Sequence, residues 1–353
     1  MAEKAFLVLE NGMTFEGKFF GATQAVSGEI VFTTEMVGYL ETLTDPNYYG
    51  QIVLQTFPLI GNYGVIEEDF LSKTGPAAYI VKYPCQDPSN FRSEGSLDTF
   101  LKKRNITGIY DVDTRAIAKV VRDNGTIYGM IARDVQGEPP GFVGGKLDSF
   151  VAAVSTKKIE RFKAENSNNS TIAIMDFGLN MRLKNEFLRR GCDVVVFPHD
   201  TTADVVAMEK CCGVVLSDGP GDPVDNVQVV ENIKQMLGHE VPVLGVGLGH
   251  QLLALANGFR TEKMKCGHRG ANQGVKDMKS GKVHMTRQNH GYAVVSTSIN
   301  KKVAAEIFIN VNDKSCEGIE YKVTPAFSVQ FDPDGKKFVF DKFESMIRKG
   351  GNC

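Results

Sequence analysis

Residues Pro242–Gly258 read PVLGVGLGHQLLALANG. A short apolar run, Val243–Val246, enters a cluster of glycines at 245, 247 and 249, and a segment of helical length follows until Asn257-Gly258. That spacing predicts a buried strand, a tight turn and a helix stopped by glycine. The frame Gly245-Val246-Gly247-Leu248-Gly249 is that of a nucleophile elbow, where flanking glycines let the backbone crowd and the central side chain projects. Here the central residue is Gly247, which has no side chain. The amide of Leu248, at the helix start, is placed to stabilise an oxyanion together with a second amide from a neighbouring loop.

Working outward, the chain from Thr171 alternates short Val/Ile-rich runs with helical segments. TIAIMDFG (171–178) is followed by NMRLKNEFLRRG (180–191), DVVVFP (193–198), GVVLSDGPGDP (213–223) and VDNVQVVENIKQMLGH (224–239). This pattern predicts an α/β domain with a doubly wound, mainly parallel sheet. In such a sheet ligands bind beyond the carboxyl ends of the strands. Both glycine-rich turns, SDGPGDP and GVGLGH, fall there. The first lacks the Gly-Lys-Ser/Thr ending of a phosphate loop, so no ATP site is expected in this chain.

The first half reads differently. AFLVLE (5–10), Asn11-Gly12 and MTFEGKFFG (13–21) predict a hairpin with a two-residue turn, because both turn positions can take positive φ. Further strands are expected in GEIVFTT, QIVLQTFP and AAYIVKYP. One helix is expected in DTRAIAKVVRDNG, capped by Asp113 or Thr114 and stopped at Asn124-Gly125. The resulting expectation is a β-rich (α+β) domain over 1–150, a linker over 151–170 and the α/β domain over 171–353. QGEPPGFVGG (136–145) and RFKAENSNNS (161–170) are the two stretches least like ordered structure.

Bulk composition narrows the function classes. The 353 residues carry 40 Lys+Arg against 42 Asp+Glu, a formal net charge of −2, and no long basic run. Nucleic-acid and membrane-surface roles therefore have no electrostatic support. No apolar stretch reaches the length of a membrane span, and MAEKAFLVLENG lacks the apolar region of a signal peptide, so a cytoplasmic location is expected. The seven cysteines show no C-x-x-C spacing; reduced thiols and no bound metal are the expectation.

Several long motifs in order carry a resemblance that runs nearly end to end. In the first half they are GEIVFTTEMVGYLETLTDPNYYGQIV, TFPLIGNYGV and IYDVDTRAIAKVVRDNGT; in the second, LSDGPGDP, GLGHQLLALANG, RQNHGYAV and AFSVQF. The second half resembles class I glutamine amidotransferases, and the chain as a whole resembles the small subunits of carbamoyl phosphate synthetases. The resemblance implies glutamine hydrolysis by a cysteine, a histidine and a glutamate, with ammonia passed to a large subunit that makes carbamoyl phosphate. It implies that ATP and magnesium belong to that large subunit only, with no cofactor in this chain. Arginine and pyrimidine precursor synthesis is the implied setting.

Carried over residue by residue, the triad is absent. The cysteine position is Gly247, and the run that follows the last motif is Gln330-Phe331-Asp332-Pro333-Asp334, putting Asp332 at the base position and Asp334 at the orienting position. A weak nucleophile needs an adjacent base, and the base needs a third group to hold its tautomer. Catalysis by this triad is therefore expected to be lost. The resemblance maps glutamine contacts to Gly219, Leu248, Gln251, Asn289, Gly291 and Tyr292, with Asn47 where the first domain usually offers a serine. L-glutamine is thus carried as a candidate ligand.

Plainer readings stand beside these. Gln251 can bridge backbone groups, Tyr292 can be a core aromatic with a wet hydroxyl, and His250 and His290 read as scaffold histidines. Two rival functions also remain at this point: a glutamine-binding sensor or scaffold without a synthetase partner, and an amidotransferase using an unrecognised nucleophile such as Cys266, Cys211 or water activated by Asp332.

Overall fold

Alternation of side chains decides both sheets. Along Ile52–Gln55, Val53 packs into one apolar cluster and Ile52 and Leu54 into another, so the strand is buried on both faces. The computed structural model describes residues 3–134 and 148–350. The chain forms two compact units, Met1–Lys146 and Leu147–Cys353.

In the first unit, seven strands close into a barrel. The unit's strands are β1 (Lys4–Leu9), β2 (Thr14–Gly21), β3 (Val26–Thr33), β4 (Ile52–Gln55), β5 (Leu59–Ile60), β6 (Ala78–Ile80), β7 (Tyr83–Pro84), β8 (Thr107–Tyr110) and β9 (Ile127–Ala132). Barrel order is β1-β2-β8-β6-β4-β3-β9, with β9 returning antiparallel to β1; β5 and β7 form a separate ribbon. Helices α1 (Tyr39–Leu43) and α2 (Leu97–Arg104) cover one apolar cluster, and α3 (Thr114–Asn124) covers the other. The α3 ends match the sequence reading: the Asp113 side chain accepts from the Ala116 amide at 3.0 Å, and Gly125 stops the helix at φ 85°.

The first hairpin departs from its expected turn. Only Gly12 takes positive φ (83°), and the Leu9 amide donates to the Met13 carbonyl at 2.8 Å across three loop residues. The Asn11 carboxamide oxygen accepts from the Met13 amide at 3.1 Å, which holds Asn11 in ordinary backbone space and leaves glycine alone to close the loop.

The second unit holds α4 (Asp148–Val154), α5 (Met181–Arg189), α6 (Ala203–Met208), α7 (Val227–Leu237), α8 (Leu248–Ala256) and α9 (Lys337–Gly350). Its strands are β10 (Glu160–Phe162), β11 (Thr171–Asp176), β12 (Asp193–Pro198), β13 (Gly213–Leu216), β14 (Val243–Val246), β15 (Thr261–Asp277), β16 (Val283–Val294), β17 (Ala304–Asn310), β18 (Cys316–Tyr321) and β19 (Ala326–Val329). They make one sheet ordered β10-β12-β11-β13-β14-β19-β18-β17-β15-β16. Its centre, β12-β11-β13-β14-β19, is parallel, and antiparallel strands flank it on both sides. Part of the stretch read as a linker is thus an edge strand, since β10 pairs with β12.

Both faces of that centre are covered. Ala173, Met175, Val214 and Leu216 pack with Val206 of α6, Ile233 of α7 and Leu252 of α8. Their neighbours Ile172, Ile174 and Val215 pack on the other face with Phe187 of α5 and Phe340 and Phe343 of α9. Arg190 ties that second layer together, bonding Glu186 on α5 and Asp341 and Glu344 on α9, each at 2.8 Å. Cys85, Cys192, Cys211, Cys266 and Cys316 are free thiols. QGEPPGFVGG and Cys353 lie outside the described residues. Among the described residues no helix is long and apolar enough to cross a membrane.

Candidate active site

The elbow forms as its sequence dictates. Strand β14 ends at Val246, Gly247 turns at φ 53° and ψ −111°, and α8 begins at Leu248. Only glycine enters that region without strain. The Gly247 amide donates to the Val329 carbonyl at 3.0 Å, and its own carbonyl accepts from the His250 amide at 3.1 Å. The turn is therefore anchored to β19 on one side and to the first turn of α8 on the other.

Beside it lies the loop after β13. Asp218 Oδ1 accepts from the Leu248 amide and from the Gly219 amide, each at 2.8 Å. The first is the amide that the elbow reading offers to an oxyanion, and the second belongs to Gly219, a glutamine contact that the resemblance implies. Ser217 braces this loop, its Oγ accepting from the Phe177 amide at 2.9 Å and donating to the Asp218 carbonyl at 2.8 Å. The backbone here is crowded: a Cβ at Gly219 would sit 2.7 Å from the Phe177 carbonyl carbon. Asp218 escaped the sequence reading, although it stands inside the quoted SDGPGDP turn.

Of the triad positions, Asp332 and Asp334 follow the end of β19, next to the elbow in the sheet. Asp332 Oδ1 accepts from the Asp334 amide at 2.9 Å, and burial pushes its carboxyl pKa up against the opposing pull of that amide and of Arg287 and Arg182. Asp334 is exposed and faces Arg182 at 3.6 Å. Neither the base nor the orienting position offers an imidazole.

The other nominated residues divide. Gln251 spends both amide hydrogens internally, on the Tyr292 carbonyl at 2.8 Å and on Gln330 Oε1 at 2.9 Å. That bridge joins α8, β16 and the segment after β19. Asn289 stands opposite Arg269 in the β15–β16 ladder, and a Cβ at Gly291 would lie 3.3 Å from Arg269 Nη2. The Tyr292 ring has Lys263 Nζ 6.0 Å from its centroid. Asn47 belongs to the first unit, in a turn where its amide donates to Asp45 Oδ1 at 2.9 Å.

The histidines are scaffold groups. His250 is fully buried, its Nδ1 2.7 Å from Ser328 Oγ, and burial drives its pKa down to about 3. His290 sits between the Tyr292 carbonyl and Gln288 Oε1, and burial followed by the charge of His268 lowers its pKa to about 3. Its ring meets that of His268 edge-on at 4.9 Å. Burial opposes a charge on His268, yet Glu317 and Asp313, 3.3 and 2.9 Å from its two nitrogens, together hold its pKa above the usual value.

His268, His290 and Glu317 bring their donor atoms within 4.8 Å of one another, a group the sequence reading did not assemble. Glu317 is already occupied by Gln288 Nε2 at 2.8 Å and Asn310 Nδ2 at 3.3 Å, so the group serves as a closed hydrogen-bonded cluster.

The rival nucleophiles are poorly placed. Cys211 lies before the amino end of β13, a strand length from the elbow, and burial, with Glu209 nearby, pushes its thiol up to about 11. Cys266 lies within β15, outside the elbow.

Comparison with known proteins places the two units. Residues 7–131 match the family described as carbamoyl-phosphate synthase small chain, CPSase domain, and residues 173–343 match glutamine amidotransferase class-I. The carbamoyl phosphate synthase small chain of Clostridium perfringens is 44% identical over 352 residues, covering 96% of this chain and 98% of that one. The chain belongs to the carbamoyl phosphate synthase small-chain family.

A second relative, the pyrimidine-specific small chain of Bacillus subtilis, is 43% identical over 361 residues, with 98% and 96% covered. Among solved structures, a glutamine amidotransferase from Thermotoga maritima aligns at a TM-score of 0.38 and 17% identity, over 52% of this chain and 93% of that one. In the unit that matches glutamine amidotransferase class-I, the elbow tip is Gly247, and the amides of Leu248 and Gly219 both donate to Asp218 Oδ1.

Proposed function

We propose that this chain is the small subunit of a carbamoyl phosphate synthase whose own glutamine hydrolysis is lost, and that it supports a cytoplasmic large subunit supplied with free ammonia. The observation that carries the reading is Gly247, a residue with no side chain at the tip of an otherwise formed elbow. Acyl transfer from an amide needs a nucleophile there, a base beside it and a group to hold that base. The positions that follow β19 offer two carboxyls instead. A carboxylate is a weak base for activating water against an amide, and no described residue near it supplies the missing nucleophile.

The closed barrel of the first unit and its small-chain motifs support a retained role in contact with the large subunit. The test is carbamoyl phosphate formation by this chain with its cognate large subunit, comparing L-glutamine with ammonium. Product from ammonium alone is expected. Product from glutamine at a comparable rate overturns the reading and directs mutagenesis to Cys266, Cys211 and Asp332.

A further inference from the structure

One side chain occupies two places that a substrate needs. Asp218 Oδ1 takes the hydrogen bonds of the Leu248 and Gly219 amides, each at 2.8 Å. Paired backbone donors of this kind stabilise the oxygen of an amide carbonyl as negative charge builds on it. The same carboxylate also fills the volume over Gly247. A Cβ built there would lie 2.5 Å from Asp218 Oδ2 and closer still to Cγ and Oδ1.

We infer that Asp218 is the ligand-selecting residue of this site: its carboxylate serves as a built-in anion between the Leu248 and Gly219 amides and shuts out the side-chain carbonyl of a γ-amide such as glutamine. The inference rests on the reading of the site as no longer hydrolytic and adds what holds it so. An incoming carbonyl has to displace a carboxylate from its two donors and leave that charge without them in a crowded elbow. Gly247 and Asp218 are consequently interlocked. A side chain at 247 and the Asp218 carboxylate contend for the same volume, so a thiol introduced there alone is crowded by that carboxylate.

Variants of the full chain test this. Iodoacetamide labelling of the introduced thiol, located by peptide mass mapping, is expected to run at least tenfold faster in Gly247→Cys/Asp218→Ala than in Gly247→Cys. Gly247→Cys/Asp218→Asn separates filling from charge, because the side chain is neutral but of the same size; its labelling is expected to stay slow. Equal rates in all three overturn the inference, as does an Asn variant as fast as the Ala one. If Gly247→Cys does not fold, calorimetry with L-glutamine decides. Asp218→Ala is expected to bind at least tenfold more tightly than the native chain, and unchanged affinity overturns the inference. Failure of the underlying reading shows separately, as glutamate released from glutamine by the native chain.

Discussion

The amide of Gly249 donates to the carbonyl of Ser217 at 3.0 Å, holding the first turn of α8 against the end of β13. No room is left for a side chain. A Cβ at Gly249 would fall 2.6 Å from the Leu216 carbonyl carbon and 2.7 Å from Leu216 Cβ. Gly258, at the far end of the same helix, has φ 80° and open space around it.

Gly249→Ala is therefore expected to cost about 3 kcal/mol through forced backbone movement, and Gly258→Ala about 1 kcal/mol through positive φ alone. Denaturant midpoints of the two variants check this. Equal losses contradict the close approach of α8 to β13.

Acid should unfold the second unit through its buried imidazoles. His250 and His290 have folded pKa values of about 3, below the ordinary 6.5. The unfolded chain takes up their protons first, so their contribution is intact above about pH 6.5 and lost as pH falls from there toward 3. Each histidine adds a slope of about 1.4 kcal/mol per pH unit in that window. Stability measured between pH 7 and 5 is expected to fall steeply in the native chain and less steeply in His290→Gln. An unchanged slope in the variant contradicts the assignment.

His268 behaves in the opposite sense. Its folded pKa is raised, so its stabilising charge is fully present below the unfolded value near 6.5 and fades as pH rises through the folded value. An NMR titration of the ring is expected to show the pKa dropping in Glu317→Gln, and dropping less in Asp313→Asn, whose carboxylate is nearly half exposed. A larger drop in the Asp313 variant reverses the ranking of the two partners.

The parts legible in sequence were those set by local chemistry. The caps of α3, the glycine turn of the elbow and the alternation of β11 to β14 follow from neighbouring residues, and each was readable from them. Asp218 was hidden because its role depends on which way a carboxylate points across two loops. The antiparallel flank was hidden for another reason. Thr261–Asp277 is rich in charged and small residues, and it becomes a strand through its long pairing with Val283–Val294 rather than through its own apolar pattern. Likewise Glu317 and His268 meet only because β18 and β15 lie on either side of β17.

The ring of strands in the first unit has one last consequence. With β9 paired back to β1, every barrel strand has a neighbour on both sides, and no main-chain edge is offered for another chain to extend. Any protein that recognises the barrel must read its side chains and loops, so recognition there is open to change by point substitution. Among the described residues of this unit, main-chain strand addition is left to the two-residue strands of the β5–β7 ribbon, too short to grip a partner by backbone alone.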